Sequence, residues 1–210
     1  MSYLTQAFLD YETAARMRLA DAYDWHQLVW RAFPGRDGRD RDYLTRLERR
    51  ERERRFRLLI VSPRPPIRPD GWPGEADAWQ TREIGPAFLS HRRYRFRLRA
   101  NPTRRDAASR KRVPLLADEE LRAWLDRKGG QAGFAVDRES LRVAGRGREW
   151  FRIEAPGRSG VHHAVEFEGA LTVVDPAAFR LAFERGIGSA KAFGFGMLAL
   201  VPSGGRGEGA

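Results

Sequence analysis

Tyr23 and His26 lie three residues apart in the segment Asp21 to Phe33. At 100° per residue that spacing makes their side chains neighbours on one helix face. Ala22, Trp25, Leu28, Val29, Ala32 and Phe33 form an apolar stripe, and Tyr23, His26, Gln27 and Trp30 fall on the other side. An imidazole that titrates near neutral pH beside a phenol makes a proton-transfer pair. Such a pair suits phosphodiester cleavage by a neighbouring hydroxyl, where one group takes a proton and another returns one to the leaving oxygen. RNA carries that hydroxyl itself, at the ribose 2′ position. The same face would equally serve to pack one domain on another, so the residues leave both uses open.

A second candidate is Gly186-Ile187-Gly188-Ser189-Ala190-Lys191-Ala192-Phe193-Gly194-Phe195-Gly196. It follows a predicted helix and precedes a predicted strand, the reverse of a dinucleotide fingerprint, and it lacks the Gly-Lys-Ser/Thr of a Walker loop. Gly186, Gly188, Gly194 and Gly196 would let backbone N–H groups close on a phosphate, with Ser189 and Lys191 adding a hydrogen bond and a charge. A tight helix-to-strand connection would use the same glycines. The third candidate is charge. Tyr94 to Ala100 alternates apolar residues with Arg95, Arg97 and Arg99, a strand with one wholly cationic face. Thr103 to Pro114 sets Arg104, Arg105, Arg110, Lys111 and Arg112 against Asp106 alone. These are phosphate-contact candidates.

The whole chain is 210 residues with 39 Lys+Arg, 28 Asp+Glu and a net charge of +11. All but three of the cations are arginines, the exceptions being Lys111, Lys128 and Lys191. Codon bias can trade Lys for Arg but does not set the excess of cations over anions, so a polyanionic partner is expected. The absence of cysteine excludes disulfides, thiolate-bound zinc and a cysteine nucleophile. His162 and His163 are adjacent on a predicted strand and point to opposite faces, and His91 falls in a basic linker, read as solvated; no metal site is expected. Asp10, Glu12, Arg16 and Arg18 interrupt the first twenty residues, and no run approaches a membrane span. A cytoplasmic location with no membrane association is expected.

These candidates need elements to hold them. Strands are predicted at Tyr3 to Leu9, Leu58 to Val61, Trp79 to Ile84, Tyr94 to Ala100, Phe134 to Val136, Ser140 to Val143, Leu171 to Val174 and Phe195 to Val201. Helices are predicted at Asp21 to Phe33, at Asp118 to Lys128 ended by Gly129-Gly130, and at Pro176 to Arg185 capped by Asp175. Trp150 to Ile153 and Val161 to Phe167 flank Pro156 to Gly160, which reads as a hairpin turn carrying Arg158. Gly35 to Asp42 is a charged loop. Arg46 to Arg57 is a solvated helix or strand edge. Pro63 to Pro73 holds five prolines and must be irregular. The order is an α+β pattern whose second half fits a β-α-β-β-α-β ferredoxin-like unit and whose first half fits a degraded one. Domains are expected at 1–90 and 93–202, with a disordered tail at 203–210.

Several of these pieces together carry a resemblance. They are Tyr23-Asp24-Trp25-His26 with Leu28 and Trp30; Phe96 to Thr103; Lys111 to Leu115; Ala123-Trp124-Leu125; Val165 to Gly169; and the glycine segment through Pro202. The sequence resembles the CasE-type CRISPR-associated endoribonucleases, which process precursor CRISPR RNA in type I-E systems. The resemblance implies two tandem ferredoxin-like (RRM-like) domains and metal-independent cleavage, without a cofactor, at the base of a repeat stem-loop. The products would be a 5′-hydroxyl and a 2′,3′-cyclic or 3′ phosphate. It implies Tyr23 and His26 as the catalytic pair. Arg158 would sit on a hairpin entering the RNA major groove, and the glycine loop with Lys191 would line a cleft between domains. It also implies that the product is retained and that other Cascade subunits are partners. A non-catalytic RNA-binding subunit on the same fold is the alternative.

Overall fold

The computed structural model describes residues 1–35, 42–74, 76–152 and 159–203. Most of the Gly35–Asp42 loop, the turn with Arg158 and the tail beyond Ser203 lie outside the described residues. In the N-terminal half, β1 (Ser2–Asp10) leads through a short helix α1 (Tyr11–Arg16) to α2 (Ala22–Arg31). The hairpin of β2 (Leu44–Arg50) and β3 (Arg55–Ser62) follows, and β4 (Trp79–Ile84) closes the unit. The sheet runs β2-β3-β1-β4 with every ladder antiparallel. That is the ferredoxin-like order with its second helix missing. The proline-rich stretch stands in its place. Trp72 is buried there, edge-on to Trp79 at 5.0 Å, and Ile67 N donates to Ala32 O at 2.8 Å. An indole fills the space a helix face would otherwise cover, and a backbone hydrogen bond ties the loop to the end of α2.

α2 starts where the sequence predicts. Asp21 accepts from Tyr23 N at 2.8 Å and Asp24 N at 3.1 Å, and Asp24 accepts from Asp21 N at 3.0 Å, a reciprocal capping box. Its apolar stripe is buried at Trp25, Leu28 and Val29. α1 is not evident from periodicity because it is a single turn and a half; Asp10 caps it, accepting from Thr13 N at 2.7 Å.

The C-terminal half comprises β5 (Arg93–Ala100), a small hairpin of β6 (Thr103–Arg105) and β7 (Arg112–Pro114), and α3 (Asp118–Gln131). These are followed by β8 (Phe134–Val136), β9 (Arg142–Arg152), β10 (Ser159–Val173), α4 (Pro176–Arg185) and β11 (Leu198–Pro202). The sheet order is β11-β5-β10-β8, with β9 also paired to β10. This is a second ferredoxin-like unit, so the fold is the expected tandem. Three expectations shift. α3 runs through Gly129 and Gly130, the former serving close packing, since a side chain there would meet the Phe134 ring at 2.9 Å; the turn comes instead at Gly133, with φ of 75°. Val161–Phe167 and Leu171–Val173 are not two strands but parts of one 15-residue strand, β10, which ends one residue before Val174. The expected strands from Ser140 and Phe195 begin later, at Arg142 and Leu198.

β5 alternates as read: Tyr94, Phe96, Leu98 and Ala100 are buried, and Arg93, Arg95, Arg97 and Arg99 face the other way. β3 is buried on both faces. Leu58 and Ile60 pack with α2, whereas Leu59 and Val61 join a cluster with Tyr94, Phe96, Leu98 and Phe183. That cluster crosses the junction of the halves. His91, read as solvated, is half-buried at the same junction, its ring edge-on to Tyr94 at 6.0 Å. Tyr94 Oη donates to Phe88 O at 2.6 Å and accepts from His91 N at 3.2 Å.

The charged run Arg46 to Arg57 is a strand hairpin, and Arg46 is not solvated: its side chain is 4% exposed. Arg46 Nη2 donates to both carboxylate oxygens of Glu166 at 3.2 and 3.0 Å, and Nε donates to Glu48 at 2.9 Å. β2 thus reaches across to β10. Burial pushes the Glu48 carboxyl up, but the hydrogen bond from Arg46 and the charges of Arg46, Arg57 and Arg97 outweigh it and hold it below the usual range. Removing one member of such a set strands its partners. Arg46→Ala should lower unfolding free energy by roughly 3 kcal/mol, near the low end for a broken buried pair because Glu166 remains 29% exposed. In urea titrations, the paired replacement Arg46→Met/Glu166→Leu should regain most of that loss; an unchanged midpoint for Arg46→Ala would remove the pair from the junction's energetics.

Candidate functional site

α2, β2, β5, β9 and the glycine segment enclose a cavity of about 720 Å³ at the junction of the halves. His26 borders it from the first turns of α2, half-buried, with its ring 6.0 Å from Trp30 and 6.4 Å from Tyr43. The N-terminal end of α2 therefore opens on the cavity, and its dipole favours an anion there. Across from it stand Arg97, Arg99 and Arg148, with Phe193 and Gly194 from the glycine segment. Tyr23 is half-buried on the same helix but is not part of this wall.

The cationic face of β5 faces the cleft but is not bare. Arg99 forms an ion pair with Glu149 of β9, and its guanidinium lies 5.3 Å from the Phe195 ring centre. Arg97 pairs with Glu168 at 3.4 Å. Arg95 opens instead on a second cavity of about 970 Å³ between the two sheets, floored by Leu4, Leu59, Phe88 and Phe96. The β6–β7 hairpin leaves Arg104, Arg105, Arg110, Lys111 and Arg112 exposed, outside the His26 wall. Asp106 shapes its turn by accepting from Ser109 N and Oγ, both at 2.7 Å, and these bonds hold its carboxyl below the ordinary value.

The glycine segment is a tight connection with a wall of the cleft attached. Gly196 has φ of 87°, and a Cβ there would fall 2.6 Å from Ile187 O. Gly186 has φ of 73° and would meet the Leu44 side chain at 2.8 Å. Ile187 N donates to Gly196 O at 2.8 Å, and Gly196 N to Arg99 O at 2.7 Å. Gly188 and Gly194 also have positive φ. Lys191 Nζ donates to Arg185 O at 2.8 Å, at the C-terminal end of α4, and Ser189 Oγ to Asn101 O at 3.3 Å. Both side chains thus contact the segment's own supports, while Phe193 and Gly194 form the cleft surface.

The structure therefore brings His26, Arg97, Arg99 and Gly194 to one cleft wall, with Tyr23 one turn before His26 on α2, Arg95 on the second cavity, and the cations of the Arg104–Arg112 hairpin exposed outside both. Arg158 lies outside the described residues. Sequence reasoning missed Arg46, Arg148 and Glu149, and named Phe193 only within the glycine segment. The stretch from Ala144 to Glu149 carries no strand signature because Gly145 and Gly147 break the alternation, although Arg146-Gly147-Arg148 is an available basic signal. Sequence reasoning also missed a support: the Asn101 amide donates to His162 Nδ1 at 3.1 Å, and the His162 ring lies 4.8 Å from Phe193 and 5.7 Å from Phe195. Among the described residues no group of three or more His, Cys, Asp or Glu side chains is placed to hold a metal ion.

Two ferredoxin-like units joined by an apolar cluster that crosses their junction, with an arginine-lined cleft where they meet, place the chain among tandem ferredoxin-like proteins. The chain belongs to the CRISPR associated protein family, whose model matches residues 2–202. It is 34% identical over 209 residues to the CRISPR-associated endoribonuclease Cse3 of Thermus thermophilus, covering 90% of this chain and 94% of that protein. It is 32% identical over 199 residues to the CRISPR system Cascade subunit CasE of Escherichia coli (strain K12), covering 90% and 96%. A solved structure of CRISPR endoribonuclease Cse3 bound to a 19-nucleotide RNA superposes with a TM-score of 0.79 at 32% identity, over 95% of this chain and all of that one.

Burial holds the His162 imidazole below its usual value of 6.5, because the charged form is penalised away from water. The unfolded chain takes up that proton first as pH falls through about 6.5. The stability from neutral His162 is therefore complete above that pH and is lost below it. Thermal melts at pH 7.5 and 5.0 should show a larger loss for the native protein than for His162→Gln; equal losses would remove His162 as a source of acid sensitivity.

Proposed function

We propose that this chain is a metal-independent endoribonuclease that binds a CRISPR repeat stem-loop and cleaves precursor CRISPR RNA at the base of the stem. It then holds the product as a subunit of Cascade. The observation that carries this is His26 at the wall of an arginine-lined cleft that the glycine segment completes. The ribose 2′-hydroxyl attacks the adjacent phosphorus as its proton leaves to a base. The bond from phosphorus to the 5′-oxygen breaks, and that oxygen is protonated. The products are a 2′,3′-cyclic phosphate and a 5′-hydroxyl. His26 carries out one proton transfer; Tyr23, one turn earlier on α2, holds the 2′-hydroxyl or completes the other. Arg97, Arg99 and Arg148 hold the phosphates beside the cut. The exposed cations of the β6–β7 hairpin and Arg158 bind the backbone farther along. The relatives' names and the RNA-bound structure support this reading. Residues 1–90 form the domain with the catalytic helix and 93–202 the domain with the basic hairpin, and the protein acts in the cytoplasm; among the described residues no helix is long and apolar enough to cross a membrane.

His26→Ala should reduce single-turnover cleavage of a repeat hairpin by about 10²- to 10⁴-fold while leaving hairpin affinity within about threefold. A deoxyribose at the nucleotide carrying the attacking hydroxyl should abolish cutting, and EDTA should leave the rate unchanged. Cleavage of the deoxy substrate, or loss of activity in EDTA, would overturn the mechanism. Tight binding with no cleavage by the native protein would favour a non-catalytic RNA-binding subunit.

A further inference from the structure

Trp150 is 67% exposed, although an indole is among the largest apolar surfaces a side chain can offer to water. It lies on β9 at the border of the cavity that holds His26, and α2 packs against β9. The ladder places Trp150 opposite Val161 and Arg148 opposite His163. Opposed residues share a face, and side chains two apart on a strand share it as well. Arg148, Trp150, Val161 and His163 therefore make one face of the hairpin. The intervening pair, Glu149 and His162, is turned inward to Arg99 and Asn101. Arg148 is exposed, and Val161 is 37% exposed.

An arginine and a tryptophan at positions i and i+2 stand about 6.8 Å apart, the scale of one nucleotide. A cation for the phosphate beside a flat ring for the base is the arrangement by which proteins grip single-stranded nucleic acid. The neighbouring cleft sets Arg46, Arg49, Arg50, Arg97, Arg99 and Arg148 against Asp21, Glu48, Glu149 and Glu166, and this cationic excess favours an anionic chain at this face. A phosphodiester about to be cut must leave regular helical geometry for the 2′-hydroxyl to align with the leaving oxygen, which frees a base next to the cut. We propose that Trp150 and Arg148 form a nucleotide-binding step at the mouth of the cleft, Trp150 stacking on an unpaired base beside the scissile phosphate and Arg148 contacting its phosphate. This rests on the RNA-cleaving reading of the cleft. Trp150 is here a positioning residue: it fixes the nucleotide whose phosphate His26 acts on.

The test uses the full chain and a repeat hairpin that the native protein cuts, made uncleavable by one deoxyribose at the cut. A series of the same RNA carries a single abasic nucleotide at each position flanking the cut. Trp150→Ala should weaken binding by about 5- to 100-fold, and Trp150→Phe should keep most of the affinity. One abasic position should weaken the native protein by a similar factor and leave Trp150→Ala unaffected, a coupling that a merely structural role would not produce. Arg148→Ala should flatten the dependence of log affinity on log salt by about 0.7. Equal melting temperatures establish that the variants are folded, as expected for exposed positions. Affinity of Trp150→Ala within twofold of native, or no abasic position coupled to it, overturns the proposal; the first result would assign the indole to a protein contact. A native protein that binds but cuts no hairpin overturns the catalytic reading instead, and an abasic series placed at every position of that hairpin then reports on Trp150 by the same coupling.

Discussion

A guanidinium taken out of water must be met by carboxylates, and Arg46 is met from both halves of the chain. Glu48 is its neighbour on β2, and Glu166 comes from β10, 120 residues later. The pair lies beside the apolar cluster that crosses the junction, so two terms of different character act on one seam. Burial of Leu59, Val61, Phe96 and Leu98 favours any close approach, because hydrophobic attraction has no direction. The bonds from Arg46 Nη2 to both Glu166 oxygens do have direction and tie a fixed point of β2 to a fixed point of β10. Arg46 and Glu166 both line the cleft, so this tie lies within its wall. A charge buried this deeply contributes little net stability against an apolar replacement. Its contribution is a unique alignment.

The cleft itself is lined with charges already used. Arg97 and Arg99 are paired with Glu168 and Glu149, and behind the wall Ser189 and Lys191 are bonded to backbone carbonyls. An incoming phosphate meets guanidinium groups that are already oriented: the Gly196 N–H holds the Arg99 backbone and the Phe195 ring supports its side chain. Orientation before binding lowers the entropy lost on contact. The exposed cations of the β6–β7 hairpin stand out in solvent instead and suit long-range attraction.

Period-two and period-3.6 patterns make β1, β5, α2 and α4 legible to within a residue or two, because each of these elements has one wet face. The pattern fails where both faces are dry or where glycine interrupts it. β3 shows as an unbroken apolar run, and nothing in that run says which residues belong to which half. β9 is visible only at its ends, since Gly145 and Gly147 remove two side chains from the alternation. Arg46 reads as solvated because charge density is a local property, whereas its partner Glu166 is remote in sequence. At the candidate site, the helix residue His26 and the cation strand are legible; the ion pairs and the Asn101–His162 support depend on the β5–β10 register, which no local pattern encodes.

The double-sided burial of β3 has a consequence for biosynthesis. Leu59 and Val61 leave the ribosome long before Leu98, Phe167 and Phe183, their neighbours in the finished core. At roughly 5–20 residues per second the nascent N-terminal unit exposes one oily sheet face for several seconds before its cover is made. The N-terminal unit has a sheet and a core of its own, but its second apolar sheet face is covered only by the C-terminal unit. A chain cut between them would yield a first fragment that seeks another apolar surface, including that of a second copy of itself.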